Sequence, residues 1–246
     1  MNGPNRWWHL PRVPEPEVMD DSDEVEAYSS AAAQAYLDRI DDTFVDHALR
    51  LLRSRIGRGE SGFALDIGCG PGQIVLKLAH RLPGWRFAGV DRSVNMVRQA
   101  MAARDEADER AGGKRTSRVD FFTGDGSSLP YADGSVDLVL CNSVLHHLRE
   151  PARLFAEMAR VAAPGAAILL RDLRRPSRPA YPLHVRWYGR HYSGLMYKLY
   201  CDSVRAAYTP EELAGMLRAS PLRDARIFLL GRTHLGIERP ARGDAV

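Results

Sequence analysis

A chain of 246 residues with 45% apolar and 26% charged residues can bury the core of one large α/β domain, and its balance is not that of a disordered or fibrous protein. A formal net charge of +3 gives no global electrostatic case for nucleic acid. Three widely spaced cysteines, Cys69, Cys141 and Cys201, argue against a disulfide framework, and no Cys/His spacing suggests a metal site.

The N-terminal stretch MNGPNRWWHLPRVPEPE has no apolar leader core, and no run approaches the roughly 18 apolar residues of a membrane span, so a soluble cytoplasmic protein is expected. Residues 1–22 read as an irregular arm. From about Asp23 to Ile56, apolar residues such as Tyr36, Leu37, Ile40, Phe44 and Val45 recur at helical spacing. Residues 1–56 are therefore expected to form an arm and helical cover, and 57–246 the main domain. Within the latter, apolar runs at 63–67, 86–90, 118–122, 136–140, 166–171 and 226–230 alternate with helical stretches at about 72–82, 93–111, 151–162 and 210–218. That alternation predicts a doubly wound, Rossmann-like, mostly parallel sheet with helices on both faces. Ser93 is a predicted N-cap, Pro151 a first-turn proline, and Thr209 with Glu212 a capping box. Residues 173–208 interrupt the alternation with prolines, tyrosines and basic residues, as a functional insertion or lid does. Acids crowd 15–46 and cations crowd 171–205, so the two segments are expected to pair.

The stretch FALDIGCGPGQ (63–73) ends an apolar strand in a glycine turn that feeds a helix. Such a turn lets backbone approach a ligand and presents helix N–H groups, although tight strand–helix turns also arise from packing alone. The pattern is D-x-G-x-G-x-G rather than the dinucleotide G-x-G-x-x-G, because Gln73 stands where a small residue is needed. Asp91 ends the next strand, where a carboxylate accepts from ribose hydroxyls. Asp125 sits between Gly124 and Gly126 after the third strand, and Asn142 ends the fourth. Four successive strand ends thus carry ligand-competent groups on the edge where open α/β sheets bind ligands.

The motifs LDIGCGPGQ, GVDRS, GDGSSLPYADGSVDLVLCNSVLHHL and ARVAAPGAAILLRD, spanning about 62–172, resemble the class I S-adenosylmethionine-dependent methyltransferases, and most resemble the ubiquinone/menaquinone-biosynthesis group. The resemblance implies S-adenosylmethionine as cofactor. Asp66, Gly68, Cys69 and Gly70 would lie at its methionine end, Asp91 at the ribose, Arg92, Asp125 and Gly126 at the adenine, and Asn142 near the sulfonium. Tyr28 and Tyr36 would fold over it, although Tyr36 reads equally well as helix core.

His146 and His147 are the candidate general bases, with His147 slightly preferred, and at least one of them is as well explained by packing or capping. Asp172, at a strand end, is expected either to orient a substrate group or, as the favoured reading, to pair with Arg171, Arg174 or Arg175. Basic and aromatic residues alternate in the insertion, which suits a small-molecule pocket better than stacked nucleic-acid bases. The expected activity is methyl transfer to a small acceptor with an aromatic or extended apolar part, and the arginines of 171–190 suggest an anionic group on it as well. An RNA methyltransferase and a catalytically silent S-adenosylmethionine-binding regulator remain as alternatives.

Overall fold

The computed structural model describes residues 7–15, 31–110, 112 and 118–242, with side chains of the first helix described from Leu37 onward. In chain order the elements are α1 (Ala31–Leu51), α2 (Arg53–Gly57), β1 (Phe63–Ile67), α3 (Gln73–Arg81), β2 (Arg86–Asp91), α4 (Val94–Arg110), β3 (Val119–Thr123) and β4 (Val136–Asn142). A 3₁₀ turn (Leu145–His147) leads to α5 (Pro151–Val161) and β5 (Ala162–Leu173). Then come α6 (Tyr181–Tyr188), α7 (Gly194–Ala206), α8 (Pro210–Arg218), β6 (Arg226–Leu230) and β7 (His234–Arg239).

The strands form one sheet in the order β3-β2-β1-β4-β5-β7-β6. The first five run parallel, with registers such as Asp66 opposite Gly89 and Asn142 opposite Arg171. The expected alternation is therefore present, and Ser93, Pro151 and the Thr209–Glu212 box cap their helices as predicted. Sequence spacing does not reveal β7, which lies antiparallel between β5 and β6. Its HLGIER pattern is broken by a glycine, and that glycine is required by the packing. A Cβ on Gly236 would lie 2.0 Å from the Leu170 carbonyl oxygen.

The sheet separates two apolar layers. Phe155, Met158, Leu213 and Leu217 bring α5 and α8 onto one face. Phe44, Ala48, Leu52, Leu78 and Val97 bring α1, α3 and α4 onto the other. The residues of α1 thus belong to the core as well as to the cover. Its acids do not meet the basic insertion as charge alone suggested. Asp38 and Asp42 pair with Lys77, and Asp46 pairs with Arg81, so α1 is bolted to α3 instead.

Arg171 fastens α1 to the sheet. It lies fully buried, with Nε donating to Asn142 Oδ1 (2.9 Å), Nη1 to Thr43 Oγ1 (2.7 Å) and Nη2 to the Ile40 carbonyl (3.2 Å). Burial lowers its pKa to about 10, although Asp41 and Asp172 favour its charge. Arg171→Met should remove these bonds and leave buried acceptors behind, costing about 3 kcal/mol. A denaturant midpoint equal to wild type would show that α1 is held by apolar packing alone.

Candidate functional site

The carboxyl edge of the parallel strands opens into a cavity of about 540 Å³. Its floor is the β1–α3 turn. Gly68, Gly70 and Gly72 all have positive φ (72°, 52° and 82°), as three turns within five residues demand. Gly68 and Cys69 N–H both donate to the Val90 carbonyl, at 2.7 and 3.0 Å. Gly70 N–H donates to Asp91 Oδ2 (2.8 Å), while Ser93 N–H donates to Asp91 Oδ1 (2.9 Å), so the carboxylate is fixed at the end of β2. A Cβ on Gly68 would lie 2.2 Å from Val144 Cγ2, and one on Gly126 would lie 2.5 Å from Ile67 Cγ2. The loops after β1, β3 and β4 therefore close on each other only with glycine at these points. Gly68→Ala should lower the melting temperature and cofactor affinity together, and equal values for both would show that the turn adapts.

Acids surround this floor. Asp66 is buried behind it rather than lining it, and its Oδ1 has no hydrogen-bond partner. Burial, reinforced by Asp41 and Asp91, pushes its pKa up to about 8. Asp41, which sequence spacing does not single out, reaches the cavity from α1, and burial raises its pKa to about 6 despite Arg171 and Lys77. Burial also raises Asp91, against the three backbone N–H groups that favour its charge. Three carboxylates that resist ionisation beside one cavity form a site suited to a cation. The Cys69 thiol is pushed well up by burial and by Asp66 and Asp91, and so stays protonated.

At the far end of the cradle, Asp125 accepts from the Ser127 N–H and hydroxyl at 2.8 Å, which holds its carboxyl below the ordinary range. Arg92 Nη2 lies 3.5 Å from Asp125 Oδ2. Asn142 lines the cavity, its side-chain oxygen held by Arg171. Ser143 follows with φ of 58°, the only non-glycine in the left-handed region among the described residues. Strain of this kind collects where a strand end must present its groups in one orientation. Tyr28 and the side chain of Tyr36 lie outside the described residues, while Leu37, Ile40 and Asp41 carry α1 into the cavity.

His146 and His147 both line the cavity, from the 3₁₀ turn after β4. His146 is buried. Its Nδ1–H donates to Asp172 Oδ1 (2.6 Å) and its backbone N–H to Asp172 Oδ2 (3.0 Å). A carboxylate only accepts, so Nδ1 carries the proton and Nε2 keeps its lone pair in the neutral ring. Burial lowers the His146 pKa, but Asp172 and Glu15 outweigh it and the net shift is upward. Asp172, in turn, is opposed by burial yet held below its usual range by His146.

The expected pairing of Asp172 with an arginine is thus corrected. Arg171 turns toward α1, and Arg175, buried, pairs with Glu212. The strand end at Asp172 reaches the turn after β4, while the arginines reach the helices beside it.

The arm supplies a group that no periodicity announces. Glu15 accepts from the Ser203 hydroxyl of α7 (3.1 Å) and lies 3.4 Å from His147 Nδ1 and 3.7 Å from His146 Nε2. Arg12 donates to the His146 and Leu148 carbonyls and lies over the Tyr208 ring, and Val13 N–H donates to the Arg205 carbonyl. The arm and the insertion therefore meet over the histidines. Glu15, His146 and His147 have the composition of a cation site. The two imidazole rings are tilted, with centroids 4.1 Å apart and 37° between planes, and His146 Nδ1 is taken by Asp172, so only its Nε2 is left to this group.

The opposite wall is apolar and aromatic: Tyr188, Tyr192, Met196, Leu199 and Tyr200 of the insertion. The insertion's arginines are not among the cavity's lining. The cations that do line it are Arg92, Arg149 and Arg153.

The methyltransferase-domain family model matches residues 65–170. A demethylmenaquinone methyltransferase from Roseiflexus sp. (strain RS-1) is 31% identical over 192 residues, covering 72% of this chain and 76% of the relative. The ubiquinone/menaquinone biosynthesis C-methyltransferase UbiE of Syntrophotalea carbinolica is 26% identical over 200 residues, 77% of this chain and 81% of the relative. Among solved structures, the [4+2]-cyclase SpnF shares the fold with a TM-score of 0.59 at 21% identity, covering 90% of this chain and 76% of that one. The orphaned Asp66 oxygen, the glycine cradle and the acids at the ends of β2 and β3 fit a ligand with cationic and ribose groups. With the family match, the chain belongs to the class I S-adenosylmethionine-dependent methyltransferases, close to the menaquinone- and ubiquinone-biosynthesis group.

Proposed function

We propose that the enzyme methylates a small acceptor that carries an ionisable hydroxyl or an acidic carbon on an aromatic or extended apolar body. One observation carries this reading. A single cavity runs from the glycine cradle, past the His146–Asp172 pair, to the tyrosine-rich wall of the insertion. The relatives named for demethylmenaquinone support an acceptor of this class.

S-adenosylmethionine supplies an activated methyl group on a sulfonium, and the chain's residues supply position and electrostatics. Asp41, and Asp66 once the cofactor's cationic end displaces its proton, would hold that end, Asp91 would offer its remaining lone pairs to the ribose diol, and Asp125 with Gly126 would flank the base. Asn142 sits at the methyl-transfer edge, oriented by Arg171. His146 Nε2 takes the acceptor's proton, while Asp172 holds the ring in the required tautomer and stabilises the resulting imidazolium. His147 lines the same end, and Glu15, 3.4 Å from its Nδ1, helps exclude water. Most of the rate enhancement comes from alignment, where well-oriented groups reach effective molarities of about 10⁵ M or more.

The base acts only when neutral. The groups facing His146 are Asp172 on β5, Glu15 and Arg12 on the arm, the adjacent His147, and half-buried His234 on β7. Their net effect raises its pKa, so the acid limb of kcat/KM should lie above the ordinary imidazole value of about 6.5. A limb at or below that value removes His146 from the role.

The acceptor class is tested by incubating the enzyme with methyl-labelled cofactor and a cell extract divided into metabolite, RNA and protein fractions. Label in a small organic metabolite is the expected result, and its mass identifies the acceptor. Label confined to RNA would establish the nucleic-acid alternative, and no label anywhere would favour a silent cofactor-binding protein.

A further inference from the structure

The helices that wall the acceptor end carry a second face. Inward, α6 buries His184 and Val185 and sends Tyr188 to the cavity. Outward, Leu183, Arg186, Trp187 and Arg190 fall at i, i+3, i+4 and i+7, one stripe along the helix and its continuation. Leu183 is 72% exposed and Trp187 65%. The Arg190 guanidinium lies 4.9 Å over the Trp187 ring, so cation and aromatic share one surface. The arm adds Trp7 and Trp8, their rings 4.0 Å apart and Trp7 60% exposed, and the Trp8 carbonyl accepts from Arg178 N–H at the foot of the insertion. The two tryptophans stand largely in solvent beside the insertion. On α7, Leu195 and Lys198 are also exposed.

Charge identifies the occupant. No acid occurs from Leu173 to Cys201, a stretch that holds Arg174, Arg175, Arg178, Arg186, Arg190 and Lys198. Of these only Arg175 is buried, paired with Glu212. Exposed tryptophan and leucine set among cations that no acid of the described residues pairs is the composition of a helix that lies in the headgroup region of a bilayer. Tryptophan favours that depth, arginine stems reach back to the phosphates, and anionic lipids draw the face in. A nucleic-acid surface has use for the arginines and tryptophans but none for Leu183 and Leu195, the exposed leucines of these two helices.

We propose that α6, the start of α7 and the Trp7–Trp8 pair form a docking face for an anionic lipid bilayer. No described helix is long and apolar enough to span a membrane, so the association is with its surface. Because the same helices wall the acceptor end from inside, docking sets that end of the cavity against the lipid. This last link rests on the acceptor reading above, whereas the docking face itself does not.

The test uses the whole protein and no acceptor. Sedimentation is measured with vesicles of phosphatidylcholine alone and of phosphatidylcholine with about one third phosphatidylglycerol, with tryptophan fluorescence followed in parallel. The wild type should partition to the anionic vesicles with a blue-shifted emission. The double variant Leu183→Ser/Trp187→Ser should bind at least about tenfold more weakly. Arg186→Glu/Arg190→Glu should lose the preference for anionic over neutral vesicles. Both should keep wild-type cofactor affinity, since none of the four residues lines the cavity. No partitioning by the wild type, partitioning undiminished in both variants, or salt-sensitive binding to RNA without binding to vesicles would overturn the proposal.

Discussion

Asp66→Asn should weaken S-adenosylmethionine binding about 100-fold or more, and should at the same time raise the melting temperature of the empty protein at pH 8. Replacing a buried carboxyl that loses its proton when a ligand's cationic end binds removes an interaction of several kcal/mol. The gain in stability follows from linkage. The Asp66 pKa is about 8 in the folded protein and near 3.8 when unfolded, so the folded state holds a proton that the unfolded state releases across that window. Its contribution to the empty protein is intact below about pH 4, is lost as pH rises toward 8, and is constant above. Asparagine carries no such loss, so the variant should gain several degrees at pH 8 and nothing near pH 4. Melting curves across this range decide it, and a pH-independent difference would refute the assignment. Calorimetry at pH 7 in buffers of different ionisation enthalpy should also show proton release when the wild type binds its cofactor.

Asp172→Asn should lower kcat by about 10²- to 10⁴-fold while leaving cofactor affinity within a few-fold of wild type. The carboxylate fixes the tautomer of His146 through a 2.6 Å bond, and an amide can present its N–H₂ and so favour the wrong one. Because Asp172 also receives the His146 and Leu173 backbone N–H groups, a lower melting temperature is expected too. His146→Gln separates the two effects: it keeps the backbone bond and should lose turnover and the acid limb together. Turnover unchanged in both variants would mean that the pair only holds the strand end in place.

The strand–helix alternation and the glycine turn were legible because each repeats a local rule, an apolar run followed by a turn that only glycine closes. Helix starts at Ser93, Pro151 and Thr209 were equally local. β7 was not, because a strand wedged antiparallel between β5 and β6 needs Gly236 for its close crossing and cannot show a clean apolar pattern. The site divides in the same way. Asp91, Asp125 and Asn142 sit at strand ends, where position alone marks them. Glu15 belongs to an arm without periodicity and reaches His146 from 131 residues away, so nothing in the neighbouring sequence points to it. Asp41 was hidden in a run of acids whose other members, Asp38 and Asp42, serve only to hold α1 on α3. Charge totals matched the arm to the insertion, whereas Asp38, Asp42 and Asp46 of α1 pair with Lys77 and Arg81 of α3 instead.

The fastening of α1 has a kinetic consequence. Ion pairs hold it to α3, Arg171 holds it to β5, and His47 with Glu238 holds it to β7, so the wall carrying Asp41 is fixed on three sides. The arm over the histidines is held instead by the bonds of Arg12, Val13 and Glu15 to the turn after β4 and to α7, which are the bonds an opening acceptor end would break. If that end opens while the proposed methionine end stays shut, traffic through the cavity is asymmetric. Turnover under this constraint is an ordered sequence in which the cofactor enters first and its demethylated product leaves last. Product inhibition should accordingly be competitive between the spent cofactor and S-adenosylmethionine, and the methylated acceptor should not compete with either.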